Sequence, residues 1–117
     1  MRLQNGLFML IVTVAVAGIV VPRASVGADA KKGEAIYSQN CSACHGSDGK
    51  GTLPGAPDFN VKKGVLSSTD AVLAERITNG YQSKGSAMAM PPKGGNSSLT
   101  AQDISDVIAY LRQRFAG

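Results

Sequence analysis

Tryptophan is absent from this chain, histidine occurs once and cysteine twice. Two cysteines cannot build a multi-disulfide scaffold. Three Cys and His side chains in all fall short of the four ligands a structural zinc site takes. Three Tyr and three Phe are the whole aromatic complement, so the core lacks the large rings that small domains lean on. No alternating apolar/polar stretch of useful length is present, which removes sheet-based classes, and no internal repeat is visible. What remains is 117 residues, 44% apolar and 17% charged, a balance typical of a globular chain and a length that allows one domain. The formal charge is +4, a weak pointer to nucleic acid.

Much of that charge belongs to the amino-terminal stretch. Arg2 is followed by Leu7 to Val21, an uncharged apolar run of 15 residues broken by Pro22 and Arg23. Small residues then surround Val26-Gly27-Ala28. This is the pattern of a secretory signal peptide, predicted to span residues 1–28 with cleavage after Ala28. The alternative is an uncleaved anchor, but a spanning helix needs about 20 apolar residues. No Cys lies near the cleavage region, so a lipoprotein is not expected. The remaining residues 29–117 hold ten Lys and Arg against eight Asp and Glu, a net of +2. That is too little for a nucleic-acid argument. So short a chain builds a thin core, and a bound cofactor is the natural way to complete it.

Three helices are predicted in residues 29–117. The first covers residues 31–40. The second covers residues 68–79, with Ser67 and Asp70 at capping-box spacing and Asn79-Gly80 as its stop. The third covers residues 101–115, where Thr100 and Asp103 form a capping start. Its positions Ile104, Ile108, Leu111 and Phe115 recur at helical spacing, flanked by Val107 and Tyr110. Residues 46–67 and 81–99 are rich in Gly and Pro and read as loops. Leu53, Phe59, Val61 and Val65 suggest that the first of them packs on something.

The chemistry concentrates in Cys41-Ser42-Ala43-Cys44-His45. C-x-x-C alone is compatible with a redox dithiol, half a metal site or a disulfide. A His directly after the second Cys makes it the attachment motif of c-type haem. Two thiols three residues apart can each bond one vinyl group of a single haem, and the adjoining imidazole is then held at the iron. A thioredoxin-like pair would follow a strand, and none is foreseen. His45 is the single histidine, so a sixth iron ligand must be another residue type, and Met is the usual one in cytochromes c. Outside the leader, Met88 and Met90 are the two candidates. Met90 is favoured because Pro91 biases it to an extended backbone, while Met88, two residues away, points the same way and can compete.

Residues 29–117 resemble the class I monohaem cytochromes c of the small soluble bacterial and algal type. Gly33-Glu34-Ala35-Ile36-Tyr37 matches the family's first-helix pattern, and Cys41 to His45 follows at the family's place. Gly55-Ala56-Pro57-Asp58-Phe59 resembles its proline stretch, Leu73 to Gly80 its middle helix, Met90-Pro91-Pro92-Lys93-Gly94-Gly95 its M-P loop and Ile108-Ala109-Tyr110-Leu111 its last helix. The segment from Tyr81 to Met88, with its second Met, departs from that pattern. The resemblance implies an all-α fold of three main helices around one haem c, attached through Cys41 and Cys44. It implies His45 and Met90 as axial iron ligands and the Pro57 carbonyl as acceptor for the Nδ1 proton of His45. It also implies Tyr110 packed on the first helix near Gly33.

The function so implied is one-electron transfer without substrate chemistry, by a non-enzyme. Redox proteins would be the partners, with no nucleic acid and no membrane insertion after cleavage, and the carrier would be a monomer. Its compartment would be the periplasm, or the thylakoid lumen in a phototroph. Gly46, Ala87 and Ala89 offer a small-residue patch for weak docking, and the lysines offer steering or plain solvation. A freely diffusing carrier and a cytochrome subunit or dedicated acceptor of one exported dehydrogenase share all this chemistry. A peroxidase or gas sensor needs an open iron position, against which the M-P loop speaks.

Overall fold

The apolar stripe of residues 101–115 forms the longest helix of the computed structural model, which describes residues 26–117. The expected leader lies outside the described residues except for Val26, Gly27 and Ala28, which are exposed and in no regular element. Four α-helices follow in chain order: α1 (Ala30–Asn40), α2 (Ser42–His45), α3 (Asp70–Asn79) and α4 (Ala101–Phe115). Single 3-10 turns lie at Val65–Ser67 and Pro92–Gly95. No strand occurs among the described residues. An isolated antiparallel bridge pairs Tyr81 with Met90. The described residues are all-α, and α1, α3 and α4 are the three main helices expected.

α4 starts as its sequence dictates. The Thr100 hydroxyl accepts from the Asp103 amide, and the Asp103 carboxylate accepts from the Thr100 amide, a reciprocal capping box. Leu99 and Ile104 occupy the two positions of a hydrophobic staple, and both are buried. Ile104, Val107, Ile108, Leu111 and Phe115 then bury one face, joined in a single core by Tyr37, Phe59, Leu66 and Leu73. Each such side chain contributes about 1.5–3 kcal/mol on burial.

α1 crosses α4 closely because Gly33 has no side chain. A Cβ at that position would stand 1.9 Å from the Asp106 carbonyl oxygen. Tyr110 does pack on α1, but one turn further along: its ring lies 5.3 Å from that of Tyr37.

The start of α3 differs from expectation. Thr69, not Ser67, is the N-cap, and its hydroxyl accepts from the Val72 amide. Ser67 is taken up in the preceding 3-10 turn, where its hydroxyl donates to the Gly64 carbonyl. Ser68 and Thr69 are extended, so the helix opens at Asp70. Arg112 of α4 ties this corner down by donating to the Leu66 and Ser68 carbonyls and to Asp70. The stop at Gly80 is as read, with φ +78. Of the four apolar residues in the first loop, Phe59 is buried and Val65 packs on the core, whereas Val61 is 53% exposed and Leu53 also reaches solvent.

Candidate cofactor site

Cys41 ends one helix and begins the next. Its amide donates to the Tyr37 carbonyl, closing α1, and its own carbonyl accepts from the amides of Cys44 and His45. The single turn α2 therefore sets Cys41, Cys44 and His45 at i, i+3 and i+4, on one side of a helical turn. None of the three predicted helices includes this turn. Gly46 ends it with φ +80, and the loop folds back upon it. The Gly51 amide donates to the His45 carbonyl at 2.8 Å and the Thr52 amide to that of Cys44 at 2.9 Å. The buried Tyr37 hydroxyl donates to the Gly46 carbonyl at 2.6 Å. Gly46 is thus interior and cannot belong to the surface docking patch foreseen for it, while Ala87 and Ala89 are exposed.

Cys41, Cys44, His45, Pro57 and Met90 all line one cavity of about 340 Å³. Its remaining wall is largely apolar and includes Phe59, Leu66, Leu73, Ile104, Val107 and Leu111. Met90 is held there by exchanging both backbone hydrogen bonds with Tyr81, at 2.8 and 3.1 Å. The Arg76 guanidinium covers the Tyr81 ring at 4.2 Å. Neither Tyr81 nor Arg76 carries a signal in the sequence, since their pairing joins α3 to a loop. Met88 borders the same cavity but is 48% exposed.

His45 is 9% exposed, and its ring stacks on Phe59 at 4.8 Å and 19°. Burial lowers its pKa and so favours the neutral ring that metal ligation requires. Its Nδ1 is buried without a hydrogen-bond partner. The bond from Nδ1 to the Pro57 carbonyl that the resemblance implies is therefore not made in this structure, where stacking on Phe59 sets the ring's orientation. Burial, with Cys44 adding to it, pushes the Cys41 thiol up to about 11. A redox dithiol is activated in the opposite direction, so this pair does not resemble one.

The residues fit a haem. The cavity of about 340 Å³ is open and largely apolar. A large, flat, mostly apolar group is what such a wall accommodates. An unpartnered buried imidazole nitrogen marks His45 as a residue whose ring has a further bond to make. Among the described residues no group of three or more His, Cys, Asp and Glu side chains converges as a bare-ion site.

Comparison with known proteins points the same way. Residues 28–111 match the family model described as "Cytochrome C oxidase, cbb3-type, subunit III". The chain is 32% identical over 88 residues to cytochrome c-555 of Prosthecochloris aestuarii, covering 71% of this chain and 85% of that protein. It is 36% identical over 84 residues to cytochrome c6 of Pyropia tenera, covering 72% and 91%. Identity to the cbb3-type cytochrome c oxidase subunit FixP of Bradyrhizobium diazoefficiens is 47% over 92 residues, covering 78% of this chain and 29% of that subunit. Among solved structures, cytochrome CL of the marine methylotroph Methylophaga aminisulfidivorans superposes with a TM-score of 0.55 at 29% identity, over 72% of this chain and 51% of that one.

Proposed function

The chain belongs to the cytochrome c family, whose members transfer electrons through a covalently bound haem c, and from that premise we propose that it is an exported one-electron carrier with His/Met-ligated iron. One observation carries the reading: Cys41, Cys44, His45 and Met90 line the same apolar cavity. When bound, the haem supplies an iron that cycles between the ferrous and ferric states.

The chain's own residues do the rest. Cys41 and Cys44 would anchor the porphyrin by thioether bonds. Their backbone is held by the turn α2 and by the Thr52 amide. His45 would bind iron through Nε2, and the Pro57 carbonyl is the acceptor proposed for the Nδ1 proton. Met90, held by Tyr81, would be the second iron ligand. A thioether ligand favours the reduced iron and raises the potential. The apolar wall disfavours the more charged oxidised site, which acts in the same direction. Redox proteins are the partners in this reading.

Export is supported by the leader pattern before Asp29 and places the carrier in the periplasm, or in the lumen of a phototroph. Among the described residues no helix is long and apolar enough to cross a membrane. The reading as a free carrier draws on the likeness to cytochromes c-555 and c6, at 32% and 36% identity. The second reading, a cytochrome subunit or dedicated acceptor of one larger redox enzyme, draws on the 47% identity to that oxidase subunit.

The test is a potentiometric titration of the exported protein followed by extraction with acidified organic solvent. A one-electron transition and haem retained by the polypeptide are expected. Haem released into the solvent would refute attachment through Cys41 and Cys44.

A further inference from the structure

Asp106 is 2% exposed, the most buried acidic side chain among the described residues, and no Lys or Arg pairs with it there. Its Oδ1 accepts from the Gln102 side chain at 3.0 Å and from the backbone nitrogen of Asp29 at 2.7 Å. A buried carboxylate without a counter-ion is expensive, and two neutral donors recover part of that cost. The Asp29 carboxylate does not supply the need of its own nitrogen, since it caps α1 by accepting from the amides of Lys31 and Lys32. The nitrogen that Asp106 holds is also the one that cleavage after Ala28 would turn into a chain terminus.

We infer that Asp106 is a receptor for the mature amino terminus. Hydrolysis of the Ala28–Asp29 bond consumes one water: Ala28 leaves as a carboxylate, and the Asp29 nitrogen becomes an α-ammonium. That cation forms 2.7 Å from a buried carboxylate, at the crossing where Gly33 receives the Asp106 carbonyl. An ammonium at a helix start opposes the helix dipole, and the Asp29 and Asp106 carboxylates offset it. The uncleaved chain makes this contact as a neutral amide hydrogen bond, and only loss of the leader turns it into a charge pair joining α1 to α4. The inference rests on the export reading and adds to it a structural consequence of cleavage after Ala28.

Intact mass of the exported holoprotein separates the two. A chain still carrying the leader refutes cleavage, turns the export reading to a membrane-anchored protein and overturns the inference with it. A cleaved chain beginning at a residue other than Asp29 overturns the inference alone. The ion pair is then tested with holoprotein beginning at Asp29 and holoprotein retaining Gly27 and Ala28, each with Asp106 or with Asp106→Asn, which keeps an acceptor oxygen but no charge. The two added residues should lower Tm by about 5 °C with Asp106 and by about 1 °C with Asn. Equal losses in the two backgrounds overturn the pair. Should the Asn variant not fold, cyanate modification of the unmutated holoprotein decides: the α-amine should react about tenfold more slowly folded than denatured, because the pair withholds the neutral amine. Equal rates overturn it.

Discussion

Met88 and Met90 stand two residues apart, yet their settings differ. Met90 is half-buried and clamped through both of its backbone groups to Tyr81, whereas Met88 is 48% exposed. Met90→Ala should abolish the weak near-infrared band of Met-ligated ferric haem and lower the potential, and Met88→Ala should leave both nearly intact. The reverse result would assign the iron to Met88. Tyr37 acts at one remove: its hydroxyl donates to the Gly46 carbonyl directly after His45, the proposed iron ligand. Tyr37→Phe keeps the ring contacts but leaves a buried carbonyl unpaired, a loss of about 1–3 kcal/mol, read from the shift in denaturant midpoint. The site residues were legible at this scale because Cys-x-x-Cys-His is a chemical unit in itself. The capping role of Ser67 was misread because hydroxyl spacing alone does not show which of two adjacent turns claims the side chain.

Among the elements, the α1–α4 crossing is the most demanding. Gly33→Ala puts a methyl carbon into the Asp106 carbonyl. Neither backbone can yield without unpacking the core, so at least 1–3 kcal/mol of overpacking strain, roughly, is expected, measured as a fall in Tm of the holoprotein. The cap of α4 is a milder case. Thr100→Ala removes the hydroxyl half of the capping box and should cost about 1 kcal/mol, visible in the same melt with the haem spectrum unchanged. α4 was readable to the residue because its cap and apolar period coincide. The turn α2 was not, because four residues are too few to show a period.

For the molecule as a whole, the proposed haem would complete a thin core. Cys41→Ala with Cys44→Ala would leave the apolar cavity without its covalent occupant. That protein should lose cooperative unfolding in calorimetry, since a small domain has little other apolar material to bury. If it instead melted as sharply and as high as the holoprotein, the cavity would not be the haem's place in the core.

Composition, the leader pattern, the Cys41–His45 motif and the α4 stripe were determined by the sequence alone, because each is local: a period, a spacing or a run that needs no distant partner. The class of chemistry followed from them. What the tertiary structure decided are the relations between distant residues. It brought Met90 and Pro57 to the wall that holds His45, paired Tyr81 with Met90, took Gly46 from the surface into the interior and set Asp106 against Asp29, 77 positions away. Such pairs depend on how α1 and α4 cross and where the loops return, which is settled by packing against a shared core and not by any residue's near neighbours in the chain.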